Sequence, residues 1–178
     1  MKQGFVKVAA VTPKIVVADT KENTALICAE IKKAEKEGAK IIVLPELCIT
    51  GYTCSDLFLQ EKMLREARQS LLEIAAFTFA LDCIVFVGLP LEYNGKLYNV
   101  AAVSNGKVLG FVPKTYLPNY NEFYEARHFT RGMEEMVQVS LGEEVVPMGK
   151  KLLFTCQTMP ELKIGVELCE DLWTPEPP

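Results

Sequence analysis

The sequence predicts a layered α/β fold built around a mixed sheet. Short continuous apolar runs at residues 40–44 and 83–88 are bounded by glycine or proline, which is typical of strands buried on both faces. Segments with helical spacing of apolar residues precede these runs, so strands and helices alternate along the first half of the chain. With 178 residues, of which 49% are hydrophobic, the chain is long enough for one domain with a sizeable core.

The first part of the chain predicts the order strand, helix, strand. Residues 5–11 have the pattern of a β-strand. The helix is expected to begin at Asp19 or Thr20, either of which can cap its first turn, and to end near Lys36, before Gly38. Its apolar side is predicted to carry Ala25, Leu26, Cys28, Ala29, Ile31 and Ala34.

The middle of the chain predicts a second helix, a hairpin and a long loop. The helix is expected over residues 57–80. Asn105-Gly106 joins two predicted strands, residues 98–104 and 107–112, and this dipeptide is a strong hairpin signal. Residues 114–132 are aromatic and irregular, and a loop of that length in a compact domain is usually functional.

The C-terminal part predicts two further strands, at residues 151–155 and 162–167. Proline-rich residues 174–178 follow the second of them, with no helix to cover that strand. An α/β sheet rarely ends in this way, so we expect the sequence to be part of a longer protein.

Composition and charge exclude several classes of function. The net charge is −4, and no cluster of Lys and Arg is long enough for a nucleic-acid-binding face. No stretch has the length of a membrane span, and the N-terminus lacks the apolar stretch of a signal peptide. The six cysteines form no CxxC pair, and His128 is the only histidine, which argues against a zinc site. We expect a cytoplasmic protein with reduced cysteines and no bound metal.

Three chemically complementary residues each follow a predicted strand. These are Glu46, Lys114 and Cys169. Ligands of α/β sheets bind beyond the carboxyl ends of the strands, so the three side chains can form one site. There a thiolate is a nucleophile, a carboxylate can accept its proton, and an ammonium group can hold an oxyanion. Each residue also has an ordinary interpretation, as a solvated carboxylate, a surface lysine or a core cysteine.

The sequence around each of the three residues resembles a motif of one enzyme family. Residues 44–52 (LPELCITGY), 113–118 (PKTYLP) and 165–173 (GVELCEDLW) resemble the carboxylate, lysine and nucleophile motifs of the nitrilase superfamily of carbon–nitrogen hydrolases. Their order and separation also suit that family. The resemblance implies a four-layer α-β-β-α sandwich, which this chain would leave incomplete at its C-terminal end.

Residues 114–129 and 167–173 are similar to the glutaminase domains of glutamine-dependent NAD synthetases. The similarity implies that residues 1–178 are the N-terminal part of a domain that hydrolyses the side-chain amide of glutamine. The ammonia would pass to the protein's own C-terminal synthetase domain, absent from this sequence, which amidates nicotinic acid adenine dinucleotide to NAD. ATP and magnesium are implied only for that domain, and no cofactor for the glutaminase part. A homo-oligomer is expected, with neither nucleic acid nor a membrane as a partner.

The resemblance assigns a role to each matching residue. Cys169 would be the nucleophile and Glu46 the general base. Lys114 would stabilise the oxyanion together with the peptide N–H of Glu170. The intermediate would be a γ-glutamyl thioester, which water then hydrolyses.

Residues of the aromatic loop and of the nucleophile motif are implied to hold the substrate. Tyr120 and the Glu170 side chain resemble positions that bind the amino acid, and packing of this loop on the core is an equally open interpretation. Many family members place a second glutamate in this stretch, and spacing from the lysine favours Glu122 over Glu125. His128 is expected to be structural or exposed, because the family uses a carboxylate as the base.

Two other functions are compatible with the sequence. A free-standing amidase or carbamoylase of the same superfamily would share the three catalytic residues but not the loop sequence. A catalytically silent α/β module would keep the fold with an inert thiol. Because an incomplete sandwich leaves the pocket open to water, we expect this chain alone to hydrolyse glutamine poorly or not at all.

Overall fold

The computed structural model describes residues 4–178 and shows a mixed seven-stranded sheet. In chain order its strands are β1 (Val8–Ala10), β2 (Ile41–Val43), β3 (Ile84–Tyr93), β4 (Lys96–Ser104), β5 (Val108–Pro113), β6 (Val137–Leu141) and β7 (Glu144–Met148). Their order across the sheet is β1-β2-β3-β4-β5-β7-β6. The pairs β1–β2, β2–β3 and β5–β7 are parallel, and the remaining three are antiparallel. The predicted α/β fold with a mixed sheet is confirmed.

Two helices, α1 (Thr20–Lys36) and α2 (Glu61–Phe77), cover one face of the sheet. Their apolar residues and those of β3 form one buried core, which includes Ile27, Ile31, Leu71, Ile74, Val85, Val87 and Leu89. Burying these side chains supplies the main driving force for the fold. No helix within residues 4–178 is long and apolar enough to cross a membrane.

The ends of α1 agree with the prediction, and its buried side agrees in part, since Ile31 and Ala34 are buried as expected. The Asp19 carboxylate accepts a hydrogen bond from the main-chain N–H of Glu22 at 3.0 Å, which caps the first turn. Ala25 and Ala29, predicted on the apolar side, are exposed. The buried side of the helix includes Ile27 instead, because Ile27 lies three to four residues from the other buried positions and therefore on the same side of the helix.

The helix predicted over residues 57–80 is divided into three elements. A 3-10 helix, Ser55–Leu59, precedes α2, and another, Thr78–Ala80, follows it. Gln60 causes the first break because its backbone is extended, with φ −88° and ψ 116°. Phe58 thereby enters a small buried cluster with Leu47, Cys54, Met63 and Phe129.

The face opposite the helices carries a second, small sheet. It consists of β8 (Phe154–Cys156) and β9 (Met159–Ile164), an antiparallel pair. Phe154 lies edge-on to Phe86 of β3, with ring centroids 6.4 Å apart. Val43 on the same face is 46% exposed, so the prediction that residues 40–44 are buried on both faces is wrong for this residue. The helices cover only the other face of β2.

The later strands agree only in part with the sequence prediction. Asn105-Gly106 joins β4 and β5 as expected. The turn at Asn94-Gly95, where φ is 50° and 70°, and the pair β6–β7 are not predicted from the sequence. The last strand ends at Ile164 rather than 167. Residues 114–132 form the expected irregular loop, apart from one 3-10 turn at Glu125–Arg127.

Candidate active site

Glu46 lies in a tight turn immediately after β2. The turn is closed by hydrogen bonds from the Cys48 N–H to the Pro45 carbonyl, at 3.3 Å, and from the Gly51 N–H to the Leu47 carbonyl, at 2.8 Å. It packs against Gly88 of β3, where an added Cβ would lie 2.7 Å from the Pro45 carbonyl oxygen. Only glycine therefore lets the turn approach the strand closely enough to hold Glu46 in place.

Lys114 follows β5, and its side chain is fully buried. Its main-chain N–H donates to the Asn99 carbonyl at 2.8 Å, and its own carbonyl accepts from Gly132 N–H at 2.8 Å. The Nζ atom lies 2.7 Å from Glu46 Oε1 and 2.7 Å from Glu125 Oε1. Burial alone lowers the pKa of Lys114, but the two carboxylates raise it above its ordinary value. The lysine is therefore an ammonium ion held between two carboxylates.

Glu125 is the more deeply buried of these two carboxylates. Its Oε1 atom also accepts a hydrogen bond from the Tyr52 hydroxyl at 2.6 Å, whereas its buried Oε2 atom has no partner among residues 4–178. Burial raises the pKa of Glu125, and the bonds from Lys114 and Tyr52 oppose that rise. One oxygen of Glu125 is therefore fully used by Lys114 and Tyr52, and the other is buried without a donor in the described part of the chain.

Glu46 has a second partner and a more open position. The buried Asn99 amide donates to Glu46 Oε1, the atom that also contacts Lys114. The Glu46 side chain is 20% exposed, and it lines a cavity of about 270 Å³. Its other oxygen is thus available to a molecule in that cavity.

Cys169 lines the same cavity as Glu46. It begins the 3-10 helix Cys169–Trp173, and its φ of +48° is a left-handed conformation that is uncommon for a residue with a side chain. Cys169 is exposed as a residue, but partial desolvation of its sulfur raises the pKa of the thiol; Lys114 lowers it, and the nearby Glu46 and Glu125 raise it further. In the structure of residues 4–178 no side-chain hydrogen bond joins the sulfur to Glu46 or Lys114. A protonated thiol and the Glu46 carboxylate therefore line the same cavity.

The residues predicted to bind the amino acid meet at the rim of this site. The Tyr120 hydroxyl donates to Glu170 Oε2 at 2.8 Å. This bond is the main cause of a raised Tyr120 pKa. A hydroxyl beside a carboxylate offers suitable partners for an ammonium group.

The structure does not bring Glu122 to the lysine. Glu122 is exposed in the loop, whereas Glu125 contacts the ammonium group. The sequence-based preference for Glu122 is therefore corrected to Glu125 as the second carboxylate at the site. Spacing alone misses this, because the Glu125 N–H bonds the Pro118 carbonyl at 3.2 Å and folds the loop back toward Lys114.

His128 lies in an aromatic cluster and not at the thiol. Its ring centroid is 5.7 Å from that of Phe58 and 6.0 Å from that of Tyr124. Burial lowers the pKa of His128, and its Nε2 atom is 3.7 Å from Asp56 Oδ1. This placement agrees with the structural role expected for it.

Three site residues escape the sequence analysis. Tyr52 stands there only as the last residue of the motif 44–52, and Asn99 only within a predicted strand, although each donates to a site carboxylate. Asp171 is 1% exposed and accepts hydrogen bonds from the main chain that follows Lys114. A polar residue inside an apolar strand, such as Asn99, is the one signal that the sequence offered.

Comparison with known proteins adds a family match. The carbon-nitrogen hydrolase model matches residues 7–178. The glutamine-dependent NAD(+) synthetase of Mycobacterium leprae is 36% identical over 177 residues, which are 99% of this chain and 26% of that protein. The enzyme of the same name from Thermotoga maritima is 34% identical over 179 residues, covering 100% of this chain and 27% of that protein. The chain thus spans about a quarter of the length of the curated relatives it matches.

Solved structures agree with this match. A glutamine-dependent NAD(+) synthetase from Cytophaga hutchinsonii superposes with a TM-score of 0.85 at 32% identity, over 93% of this chain and 28% of that one. An amidase from Nesterenkonia sp. superposes with a TM-score of 0.61 at 23% identity, over 81% of this chain and 54% of that one. The second likeness concerns the fold alone.

Proposed function

Because the chain belongs to the carbon–nitrogen hydrolase family, we propose that it hydrolyses the side-chain amide of glutamine. The ammonia would serve a synthetase domain of the same protein, which amidates nicotinic acid adenine dinucleotide to NAD with ATP and magnesium. The observation that carries the proposal is Lys114 Nζ, 2.7 Å from both Glu46 and Glu125 beside the cavity that Cys169 lines. The relatives' dependence on glutamine supports this choice of substrate.

The first half of the reaction would form a thioester and release ammonia. Glu46 takes the proton from the Cys169 thiol as the sulfur attacks the amide carbon. The oxyanion is held by the Lys114 ammonium and the Glu170 N–H. The C–N bond then breaks, the leaving NH₂ group takes the proton back from Glu46, and ammonia departs from a γ-glutamyl thioester.

The second half would hydrolyse the thioester. Glu46, again a carboxylate, removes a proton from a water molecule that attacks the thioester carbon. The oxyanion occupies the same position beside Lys114. When the C–S bond breaks, the sulfur receives the proton and glutamate is released.

The raised pKa of the thiol explains why a base is needed. Lys114 would stabilise a Cys169 thiolate, but its single positive charge lies between the two negative charges of Glu46 and Glu125, which oppose a further negative charge nearby. Partial desolvation of the sulfur, together with the two carboxylates, outweighs Lys114 and raises the pKa of the thiol, so the sulfur stays protonated near neutral pH. Proton transfer to Glu46 would accompany the attack, so little thiolate forms in the absence of substrate.

The rim pair would select an amino-acid substrate. Tyr120 and Glu170 offer a hydroxyl oxygen and a carboxylate to the α-amino group of glutamine. A simple aliphatic amide has no such group. Faster turnover of glutamine than of aliphatic amides would thus distinguish this proposal from a free-standing amidase or carbamoylase.

The proposal is tested with two nitrogen sources in the complete protein, including its synthetase part. Cys169→Ala should abolish NAD formation from glutamine and leave NAD formation from ammonia unchanged, since the nucleophile is needed only to release ammonia. Glu46→Gln should behave in the same way. Cys156→Ala, at a half-buried cysteine on the β8–β9 hairpin, is the matched control and should keep both activities. Equal loss of both activities in Cys169→Ala would contradict the proposal.

The proposed setting of the reaction is the cytoplasm, with the synthetase domain as the partner of this one and the protein assembled as a homo-oligomer. Light scattering of the complete protein measures the assembly. A monomer with full glutamine-dependent activity would contradict the oligomer and leave the reaction untouched.

A further inference from the structure

A buried carboxylate next to the nucleophile has no part in the proposed chemistry. Asp171 is 1% exposed. Its Oδ1 atom accepts from the Tyr116 N–H at 2.7 Å and from the Thr115 N–H at 3.1 Å, and Oδ2 lies 3.3 Å from the same Thr115 nitrogen. Burying a carboxylate is costly unless such bonds compensate it. Both donors come from residues directly after Lys114.

The main chain that follows Lys114 is anchored independently of Asp171. Gly132 N–H donates to the Lys114 carbonyl at 2.8 Å, and Arg131 Nε donates to the Thr115 carbonyl at 3.1 Å. The Arg131 guanidinium also lies over the Tyr116 ring, 5.2 Å from its centroid. The main chain at Thr115 and Tyr116 is therefore held in place by contacts other than those to Asp171, and its N–H groups form a fixed attachment point for that carboxylate.

The segment that carries Cys169 has few other polar links to the rest of the molecule. Within residues 4–178, no main-chain hydrogen bond connects residues 165–178 to the preceding chain. Two side-chain bonds do so at exposed positions, from Tyr120 to Glu170 and from Tyr116 to the Glu176 carbonyl at 3.0 Å. The bonds from Thr115 to Asp171 are buried and the bond from Tyr116 is partly buried, and Cys169 stands two residues away in a left-handed conformation.

We infer that Asp171 is a positioning residue, which fixes the Cys169 sulfur relative to the Lys114 ammonium through the N–H groups of Thr115 and Tyr116. The inference rests on the proposed function, since Lys114 and Cys169 must act on the same carbonyl group. Asp171 itself touches neither substrate nor reacting atoms. A displacement of about 1 Å between catalytic groups can cost about 100-fold in rate, so loss of the link should be visible in turnover.

The test compares Asp171→Ala and Asp171→Asn in the complete protein. Asp171→Ala removes every acceptor, and we expect its kcat for glutamine hydrolysis to fall ~10- to 100-fold. Asp171→Asn keeps one oxygen for the Tyr116 N–H, so it should lose less. Asp82→Ala, at an exposed aspartate that pairs with Lys40 before β3, is the control and should keep wild-type turnover. NAD formation from ammonia should be unchanged in all three.

A pair of reagents separates misalignment from general damage. Iodoacetamide needs only an accessible thiolate, whereas a diazoketone analogue of glutamine must also place its carbonyl oxygen at Lys114 to react. In Asp171→Ala the inactivation rate with the diazoketone should fall at least about tenfold, and the iodoacetamide rate should stay within about threefold. Should Asp171→Ala fail to fold, the same comparison in Asp171→Asn decides.

The outcomes keep the two hypotheses apart. Wild-type protein that forms NAD from ammonia and hydrolyses no glutamine refutes the proposed function, and the inference falls with it. Wild-type protein that hydrolyses glutamine, alongside Asp171→Ala with undiminished kcat and an unchanged ratio of the two inactivation rates, refutes the inference alone. Parallel loss of both inactivation rates and of ammonia-dependent synthesis assigns Asp171 to general stability and also refutes it.

Discussion

Replacing Lys114 by methionine tests the charge arrangement of the site. Methionine keeps most of the length and apolar volume of the lysine side chain but removes its charge. The two hydrogen bonds at 2.7 Å are lost, and the buried Glu125 keeps only the Tyr52 hydroxyl as a partner. Glu46 is less affected, because its side chain is partly exposed and can be hydrated.

The expected loss of stability follows from the buried Glu125 carboxylate, which is left without its ammonium partner. Breaking a buried ion pair by removing one partner costs about 3–5 kcal/mol, and Lys114 is fully buried. For a chain of this size a urea m-value of about 2 kcal/mol per M is typical, so the unfolding midpoint should fall by about 1.5–2.5 M. Lys40→Met, which breaks an ion pair of the same 2.7 Å length whose aspartate is exposed, should change the midpoint far less.

The loss should grow as the pH rises. The pKa of Glu125 in the folded protein already lies above its ordinary value because of burial, and removing the Lys114 cation must raise it further. Between the unfolded and the folded pKa the native state binds more protons than the unfolded state, so stability falls with increasing pH in that window. Lys114→Met should therefore be closer to wild type at pH 5 than at pH 8.

The assay is urea unfolding of the chain followed by circular dichroism at both pH values. Lys114→Met/Glu125→Gln is the decisive variant, because a neutral amide at position 125 carries no burial penalty for charge. We expect it to recover at least half of the lost stability at pH 8. A double variant no more stable than Lys114→Met, or an equal deficit at pH 5 and pH 8, would refute the reasoning.

Two further predictions concern the placement of the carboxylates. Glu125→Gln should lower the rate of glutamine hydrolysis by more than tenfold, because it weakens a charge-assisted contact with Lys114 worth about 1.5–3 kcal/mol. Glu122→Gln, at an exposed position, should keep the rate within about twofold of wild type. The reverse order in a steady-state assay would restore Glu122 as the second glutamate. Gly88→Ala should lower the free energy of unfolding by about 1–3 kcal/mol and reduce turnover, because the Cβ of the alanine collides with the turn that carries Glu46. Wild-type stability and turnover in this variant would show that the turn does not need the glycine.

Local sequence determined the features that depend on neighbouring residues. Asp19 caps α1 and Asn105-Gly106 turns between β4 and β5, because each signal acts within a few residues. The motifs around Glu46 and Lys114 also predicted that two residues 68 positions apart share one site, and the structure brings them into contact. Strand ends converge at one edge of a sheet whatever the intervening sequence.

Only the tertiary structure decided which polar residues complete the site. Glu125, Tyr52 and Asn99 reach Lys114 or its carboxylates through a folded-back loop, a turn and a neighbouring strand. No local pattern encodes such distances, because one side chain can face the site or the solvent according to how its segment packs. The same holds for Asp171, because the two N–H groups that donate to its carboxylate lie 55 and 56 residues earlier in the chain. Residue types and motifs thus indicated the chemistry of the site, and long-range packing determined which side chains hydrogen-bond to the catalytic groups.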